Sequence, residues 1–266
     1  MELKFYKYQG TGNDFIIFDN RDMHINVYNK KWFTEICDRR FGIGADGVML
    51  LQNREGYDFE MIYFNADGNE SSLCGNGGRC MVKFAALLGI KQNTYKFMAV
   101  DGDHEALIIN DEVYLKMKDV SEIVNGENYF TLNTGSPHYV TFSEALNKID
   151  IKSKGAAIRF NQLYKTSGIN VNFLEEKNKD LFIRTYERGV EDETLSCGTG
   201  VTAAAIIYTI KNDFAPGAHL IELNTMGGKL KVQLTKSESN IFTDIWLIGP
   251  GEKVFEGLIP CTEAGT

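Results

Sequence analysis

Leu73-Cys74-Gly75-Asn76-Gly77-Gly78 runs into Arg79-Cys80-Met81-Val82-Lys83-Phe84-Ala85-Ala86-Leu87-Leu88-Gly89, and Ser196-Cys197-Gly198-Thr199-Gly200 runs into Val201-Thr202-Ala203-Ala204-Ala205-Ile206-Ile207-Tyr208-Thr209-Ile210. Each stretch is a cysteine, a glycine-rich turn and an apolar helix. The first helix stops at Gly89, a usual C-terminal residue. The second has almost no polar side, and a helix apolar nearly all round is buried on all sides. Working outward, Tyr57–Gly68 precedes the first cysteine and Asp180–Gly189 the second. Phe64 to Cys74 spans ten residues and Tyr186 to Cys197 eleven. After each helix come a strand, a glycine-bearing turn (Val100-Asp101-Gly102-Asp103 and Thr225-Met226-Gly227-Gly228) and another strand. Upstream, Gly10-Thr11-Gly12-Asn13-Asp14-Phe15 is echoed by Asn133-Thr134-Gly135-Ser136-Pro137-His138. The period is close to 123 residues, a domain's length and too long for a solenoid repeat. The chain therefore reads as two similar domains, 1–122 and 123–250, with a boundary near 121–128. The C-terminal tail 251–266 is expected to pack back on the first.

Each repeat is mostly strand. Phe15–Phe18, Val48–Leu51, Phe59–Phe64, Ala106–Ile109, Val113–Met117, Val171–Leu174, Lys229–Leu234 and Phe242–Leu247 are short, alternating or apolar, and bounded by turns. A further amphipathic helix is expected over Asn29–Arg40. Asn29 would cap it, Trp32, Phe33 and Ile36 would face inward, and Gly42 would end it. The fold class is α+β: two pseudo-symmetric domains, each a curved, mostly antiparallel sheet or barrel around a central buried helix.

Composition narrows the function. With 266 residues and 43% hydrophobic content there is chain enough for one sizeable core or two medium ones. Charged residues at 24% exclude overall disorder. A formal charge of −8 argues against nucleic-acid or anionic-membrane partners, which want a basic face. Glycine is 26 residues against 4 prolines, which points to close backbone approach and not to linkers. The N-terminus shows no apolar segment of the secretory kind, and the longest apolar stretch, around Ala203–Tyr208, is far short of the ~20 residues of a membrane span. A cytoplasmic protein with reduced thiols is expected. The five cysteines are an odd count at irregular spacing and do not form a disulfide framework. The histidines form no metal pattern and no cysteine pair has zinc-like spacing, so no metal is expected.

Cys74 and Cys197 occupy matching positions, each just before a helix. Free helix-start N–H groups and the macrodipole favour a thiolate there. The glycines leave backbone N–H groups uncovered for a carboxylate. If the domains face each other through their pseudo-two-fold, so do the cysteines. A carbon held between them could lose a proton to one sulfur and gain one from the other, which inverts a stereocentre. Cys37 and Cys80 within helices, and Cys261 near the tail, read as small buried hydrophobes.

At these residues the chain closely resembles the diaminopimelate epimerase family. The resemblance rests on an ordered set: Gly10-Thr11-Gly12-Asn13-Asp14-Phe15, Arg40–Gly47, Phe64-Asn65-Ala66-Asp67-Gly68, Cys74-Gly75-Asn76-Gly77-Gly78-Arg79-Cys80, Pro137-His138, Asn170-Val171-Asn172-Phe173, Tyr186-Glu187-Arg188-Gly189 and Cys197-Gly198-Thr199-Gly200. Gly249-Pro250-Gly251 and the strand after it also fit. The resemblance implies an isomerase without pyridoxal phosphate or other cofactor, interconverting LL- and meso-diaminopimelate for lysine and peptidoglycan-precursor synthesis. Cys74 and Cys197 would be the two bases. The amides of Gly75-Asn76 and Gly198-Thr199 would hold the reacting carboxylate. Asn13, Asn65, Asn170 and Arg188 match positions that bind the other polar groups, with Arg188 suited to the distal carboxylate. Glu187 and His138 match polar groups that tune the cysteines, and Glu187 also falls among the substrate-binding positions. The resemblance leaves room for a homodimer.

Two positions depart from the family. Many members have Asn-Pro-His at Ser136-Pro137-His138, and some have glutamine at Gly47, so those side-chain contacts are not carried over. The competing enzyme is a proline or hydroxyproline racemase of related fold. It would not need Glu187-Arg188-Gly189 with Asn65 and Asn170. A reading of another class is a thiol-redox or small-ligand-binding module, which would show no proton exchange.

Overall fold

The computed structural model describes residues 2–260. The elements of the first part are β1 (Glu2–Gly10), β2 (Asn13–Asp19), α1 (Lys30–Cys37), β3 (Gly47–Gln52), β4 (Phe59–Asn65), α2 (Gly75–Leu87), β5 (Tyr95–Ala99), β6 (Gly102–Ile109) and β7 (Glu112–Lys116). There follow β8 (Ile123–Asn125), β9 (Phe130–Asn133), β10 (Pro137–Phe142), a 3-10 turn at Leu146–Lys148, α3 (Ile151–Arg159), β11 (Asn170–Lys177) and β12 (Asp180–Glu187). The last are β13 (Asp192–Thr194), α4 (Gly198–Lys211), β14 (Gly217–Thr225), β15 (Gly228–Lys236), β16 (Phe242–Gly249) and β17 (Glu252–Pro260). The chain divides into two compact units. One is the chain up to Leu115 with the segment from Pro250; the other is Lys116–Gly249.

In the first unit β1 is antiparallel to both β17 and β2. Next, β2–β3 is parallel, β3–β4 antiparallel, β4–β5 parallel, and β5, β6 and β7 form an antiparallel run. In the second unit β9–β10 is antiparallel, β10–β11 parallel, β11–β12 antiparallel, β12–β14 parallel, and β14, β15 and β16 antiparallel. The order of pairings is the same. A parallel pair needs a crossover, and helices supply it. In chain order α1 and α3 lie between the strands of the first parallel pair, α2 and α4 between those of the second. Each unit is thus a mixed, mostly antiparallel α+β arrangement.

The crossover helix is the core in each case. α2 packs on β1, β2, β3 and β17; α4 packs on β9 to β12 and on β14 to β16. Val201 to Ile207 are 0% exposed throughout. Fully burying one aliphatic side chain contributes about 1.5–3 kcal/mol, so this helix is held by its surroundings more than by its own propensity. Its two fully buried threonines bond within the helix: Thr202 Oγ1 donates to Gly198 O at 3.0 Å and Thr209 Oγ1 to Ile206 O at 2.8 Å. No helix among the described residues is long and apolar enough to cross a membrane.

Three features differ from the sequence expectation. Helix α1 ends at Cys37, not Arg40. Asn29 does cap it, accepting from Trp32 N at 3.2 Å. At the other end the Asp38 carboxylate accepts from the N–H groups of Arg40 and Phe41, both at 2.7 Å, a local bond that competes with the helix. The returning Ile43 and Gly44 N–H groups then take the Ile36 carbonyl at 2.9 and 3.0 Å. Helix α3 has no counterpart in the sequence expectation, because Gly155 interrupts its pattern. A Cβ there would stand 2.3 Å from Tyr186 Cβ, so the glycine lets the helix lie against β12. The first crossing between units falls at Leu115–Lys116 instead of near 121–128. Residues 116–120 are already tied to β16, with Met117 N donating to Ile245 O and Val120 N to Phe242 O.

Candidate active site

Cys74 is the N-cap of α2 and Cys197 the N-cap of α4, both in extended backbone. The two positions are therefore topologically the same. Neither Cys37 nor Cys80 shares that setting. Both are buried, and burial pushes each thiol up to about 12, which leaves them protonated and inert. Cys261 lies outside the described residues.

Around Cys74, the first turn of α2 is cradled by the Gly10-Thr11-Gly12 turn. Cys74 Sγ stands 3.4 Å from Asn13 Oδ1, and Asn13 Nδ2 donates to the Asp46 carboxylate. Asp46 and Asp14 are both held by Arg39 at 2.7 Å, and Asp14 is also paired with Lys7 at 2.7 Å. Burial alone would raise the Asp14 carboxyl, but the Arg39 and Lys7 hydrogen bonds outweigh it and bring it to about 2. Asn13 is thus held by an ionic cluster. Asn76 is 1% exposed; its Oδ1 accepts from Arg79 at 3.0 Å and from Thr11 Oγ1 at 3.3 Å. Gly75 opens the helix, and its carbonyl accepts from Arg79 at 3.2 Å. Asn65 ends β4 opposite Gly47 and holds the following turn through its backbone. Gly47 has no room for a side chain: a Cβ would meet Phe64 O at 2.4 Å and the Tyr63 ring at 2.6 Å.

Around Cys197 the polar groups form a chain. Cys197 Sγ is 3.5 Å from Thr199 Oγ1, which is 2.9 Å from His138 Nε2. Asn172 Nδ2 is 3.0 Å from His138 Nδ1 and also donates to Tyr139 O. Nδ1 is therefore the acceptor, and the proton resides on Nε2. His138 is 0% exposed; burial first, then the nearby Arg188 charge, lower its pKa to about 3, so the ring is neutral near pH 7. Gly200 admits this arrangement, since a Cβ there would meet Asn172 Oδ1 at 2.5 Å. Asn170 Oδ1 accepts from Arg188 N at 2.8 Å, and its Nδ2 donates to Ser136 Oγ at 3.0 Å. Arg188 reaches Ser167 O at 2.9 Å and Ser136 Oγ at 3.3 Å, so the serine hydroxyl bridges Asn170 and Arg188. Glu187 accepts from Thr194 Oγ1 at 3.0 Å.

Three residues here carry no role in the sequence reading. Asn172 orients His138; its signal is the Asn170-Val171-Asn172 spacing, which puts both amides on one face of a strand. Thr134, fully buried, holds Thr199 O at 2.8 Å. Arg79 lies fully buried in the first turn after Cys74.

A model of the family described as diaminopimelate epimerase matches residues 5–122 and 130–251. A diaminopimelate epimerase of Flavobacterium psychrophilum is 52% identical over 259 residues, 97% of this chain and 100% of that one. The chain belongs to the diaminopimelate epimerase family. Relatives of the same name in Chlorobaculum tepidum, at 41% identity over 94% of this chain and 98% of that one, and in Aquifex aeolicus, at 35% over 96% and 97%, agree. Among solved structures, a phenazine biosynthesis PhzF-family protein of Bacillus anthracis has a TM-score of 0.79 at 13% identity, covering 98% of this chain and 100% of that one. A hydroxyproline epimerase of Agrobacterium vitis has a TM-score of 0.67 at 13% identity, covering 97% and 92%. At that identity these two show that the epimerase-family chain has their fold, and no more.

Proposed function

We propose that the protein interconverts LL- and meso-diaminopimelate by a two-base reaction of Cys74 and Cys197. The observation that carries it is the matching placement of those two cysteines at the N-caps of equivalent buried helices. One thiolate takes the α-proton and becomes S–H. The electron pair left on the α-carbon spreads into the substrate carboxylate, whose growing charge rests on the first-turn amides of Gly75-Asn76 and Gly198-Thr199. The other thiol gives its proton to the opposite face, and configuration inverts. Asn13 and Asn65 bind polar groups of the substrate. Arg188, held by Asn170 and Ser136, takes the distal carboxylate as a bidentate donor. His138 and Glu187 tune the cysteine side of the second unit. The protein would act in the cytoplasm, in lysine and peptidoglycan-precursor synthesis, without pyridoxal phosphate.

The test is exchange. Incubated with LL-diaminopimelate in deuterated water, the protein should place deuterium at the α-carbon as meso product accumulates. Absence of incorporation, or equal turnover of proline, would overturn the assignment.

A further inference from the structure

We propose that Arg79 is a positioning residue for this reaction: its buried guanidinium, one turn into the helix that Cys74 caps, is the fixed countercharge that keeps Cys74 ionised. The proposal rests on the assignment of Cys74 as a base and extends it to what holds that base in its reactive form.

Arg79 is among the largest fully buried side chains, at 0% exposure. Its Nε donates to Pro250 O at 3.0 Å, one terminal nitrogen to Gly75 O at 3.2 Å, and the other to Thr11 Oγ1 at 3.1 Å and Asn76 Oδ1 at 3.0 Å. Every one of these acceptors is neutral, and among the described residues no carboxylate pairs with it. A buried guanidinium without a counter-anion is costly unless another charge offsets it. Burial lowers Arg79 to about 10, and the groups that push the other way are Cys80 and Cys74. Arg79 therefore stays charged near neutral pH. Cys80, held up at about 12, is protonated. That leaves Cys74 as the anion to match it.

The surroundings hold the cation in place. A Cβ on Gly10 would stand 2.9 Å from Asn76 O, and one on Gly251 would stand 2.6 Å from Arg79 O. The backbone of two separate segments thus presses on the same helix turn. Other charged or titratable groups border α2. From β1 come Tyr6 and Tyr8, whose rings lie 4.9 and 6.0 Å from that of Phe84, and beside Asn13 lie the charges of Lys7, Asp14, Asp46 and Arg39. The β5–β6 turn brings Asp101, which accepts from Leu73 N at 3.0 Å and meets His104 at 3.3 Å. From β17 comes Glu252, bound to Gln9 at 2.6 Å. At the far end Lys83 pairs with Asp111. β3 contributes apolar side chains and Gln52. The carboxylates all have partners of their own.

The second unit supplies a contrast. Thr202 follows Cys197 at the spacing by which Arg79 follows Cys74. Both reach the carbonyl four residues back, Thr202 to Gly198 at 3.0 Å and Arg79 to Gly75 at 3.2 Å. A threonine suffices for that bond, so the charge at Arg79 serves something else.

The experiment is alkylation by iodoacetamide across pH, with mass spectrometry reading Cys74 and Cys197 separately, in the wild-type protein, Arg79→Lys and Arg79→Gln. In Arg79→Gln the Cys74 midpoint should rise by about one pH unit, a tenfold slower reaction at neutral pH, with Cys197 unmoved. Arg79→Lys should stay near wild type. An unmoved Cys74 midpoint in Arg79→Gln, or an equal shift in both variants, would overturn the proposal. Should the variants fail to fold, the wild type decides: a Cys74 midpoint at or above the ~8.5 of a free thiol is equally fatal. No substrate is present, so this outcome is separate from that of the two-base assignment, which isotope exchange tests.

Discussion

His138 Nε2 and the hydroxyl of Thr199 stand 2.9 Å apart, and the same hydroxyl stands 3.5 Å from Cys197 Sγ. Asn172 satisfies the other ring nitrogen, so the imidazole N–H points to Thr199. A neutral histidine thus stands one hydroxyl away from the Cys197 sulfur.

Thr199→Ser keeps that hydroxyl and should keep kcat within a few-fold. Thr199→Val removes it. The buried Nε2–H then loses its acceptor, at about 1–3 kcal/mol of stability, and kcat should fall about 10- to 100-fold. Steady-state kinetics with urea unfolding of both variants separates the two effects.

The depressed pKa of His138 bears on acid stability. Its folded value, about 3, lies below the ordinary 6.5, so the unfolded chain binds the proton first. The stability linked to this ring is complete above about pH 6.5 and is lost as pH falls toward 3, by an amount on the order of a few kcal/mol. His138→Gln, which cannot titrate, should show a flatter loss of urea midpoint from pH 7 to 4 than the wild type. A parallel loss in the two proteins would contradict the neutral, buried ring.

Replacing Gly47 by glutamine should not restore a substrate contact. The new Cβ would press on the Phe64 carbonyl and the Tyr63 ring, so the β3–β4 pair must shift. A loss of about 1–3 kcal/mol is expected, seen as a lower melting temperature with no gain in KM.

Cys74→Ser and Cys197→Ser should each lose most epimerisation, by about 100-fold or more, while circular dichroism shows the fold intact. A hydroxyl in either place is too weak an acid to carry the proton. Full turnover in either single variant would remove the two-base reaction.

Much of the fold and part of the site are legible in the order of the residues. Cys74-Gly75 and Cys197-Gly198 announce two equivalent helix starts, and Val201–Ile210 announces a helix with no face for water. Asn29 can be read as a cap because its partner is three residues away. Helix α3 falls about one period after α1, so the same repeat points to it, but Gly155 hides it. What makes that glycine acceptable is Tyr186, and no local pattern contains it. Arg79 sits inside a recognisable motif, yet an arginine in a sequence carries no mark of being fully buried. Ser136 reads as the loss of a contact, whereas its hydroxyl joins Asn170 to Arg188.

The sequence by itself determined the repeat, the class of fold and which two of five cysteines share a setting. Those are properties of spacing and periodicity, which act over a few residues or recur at a fixed interval. The tertiary structure alone decided what surrounds each sulfur. Thr199 meets His138, Asn172 meets His138, and Arg79 meets Thr11 and Pro250 across long stretches of chain. Such meetings depend on strand register and on how a helix seats against its sheet, and a one-residue slip in either would replace every neighbour.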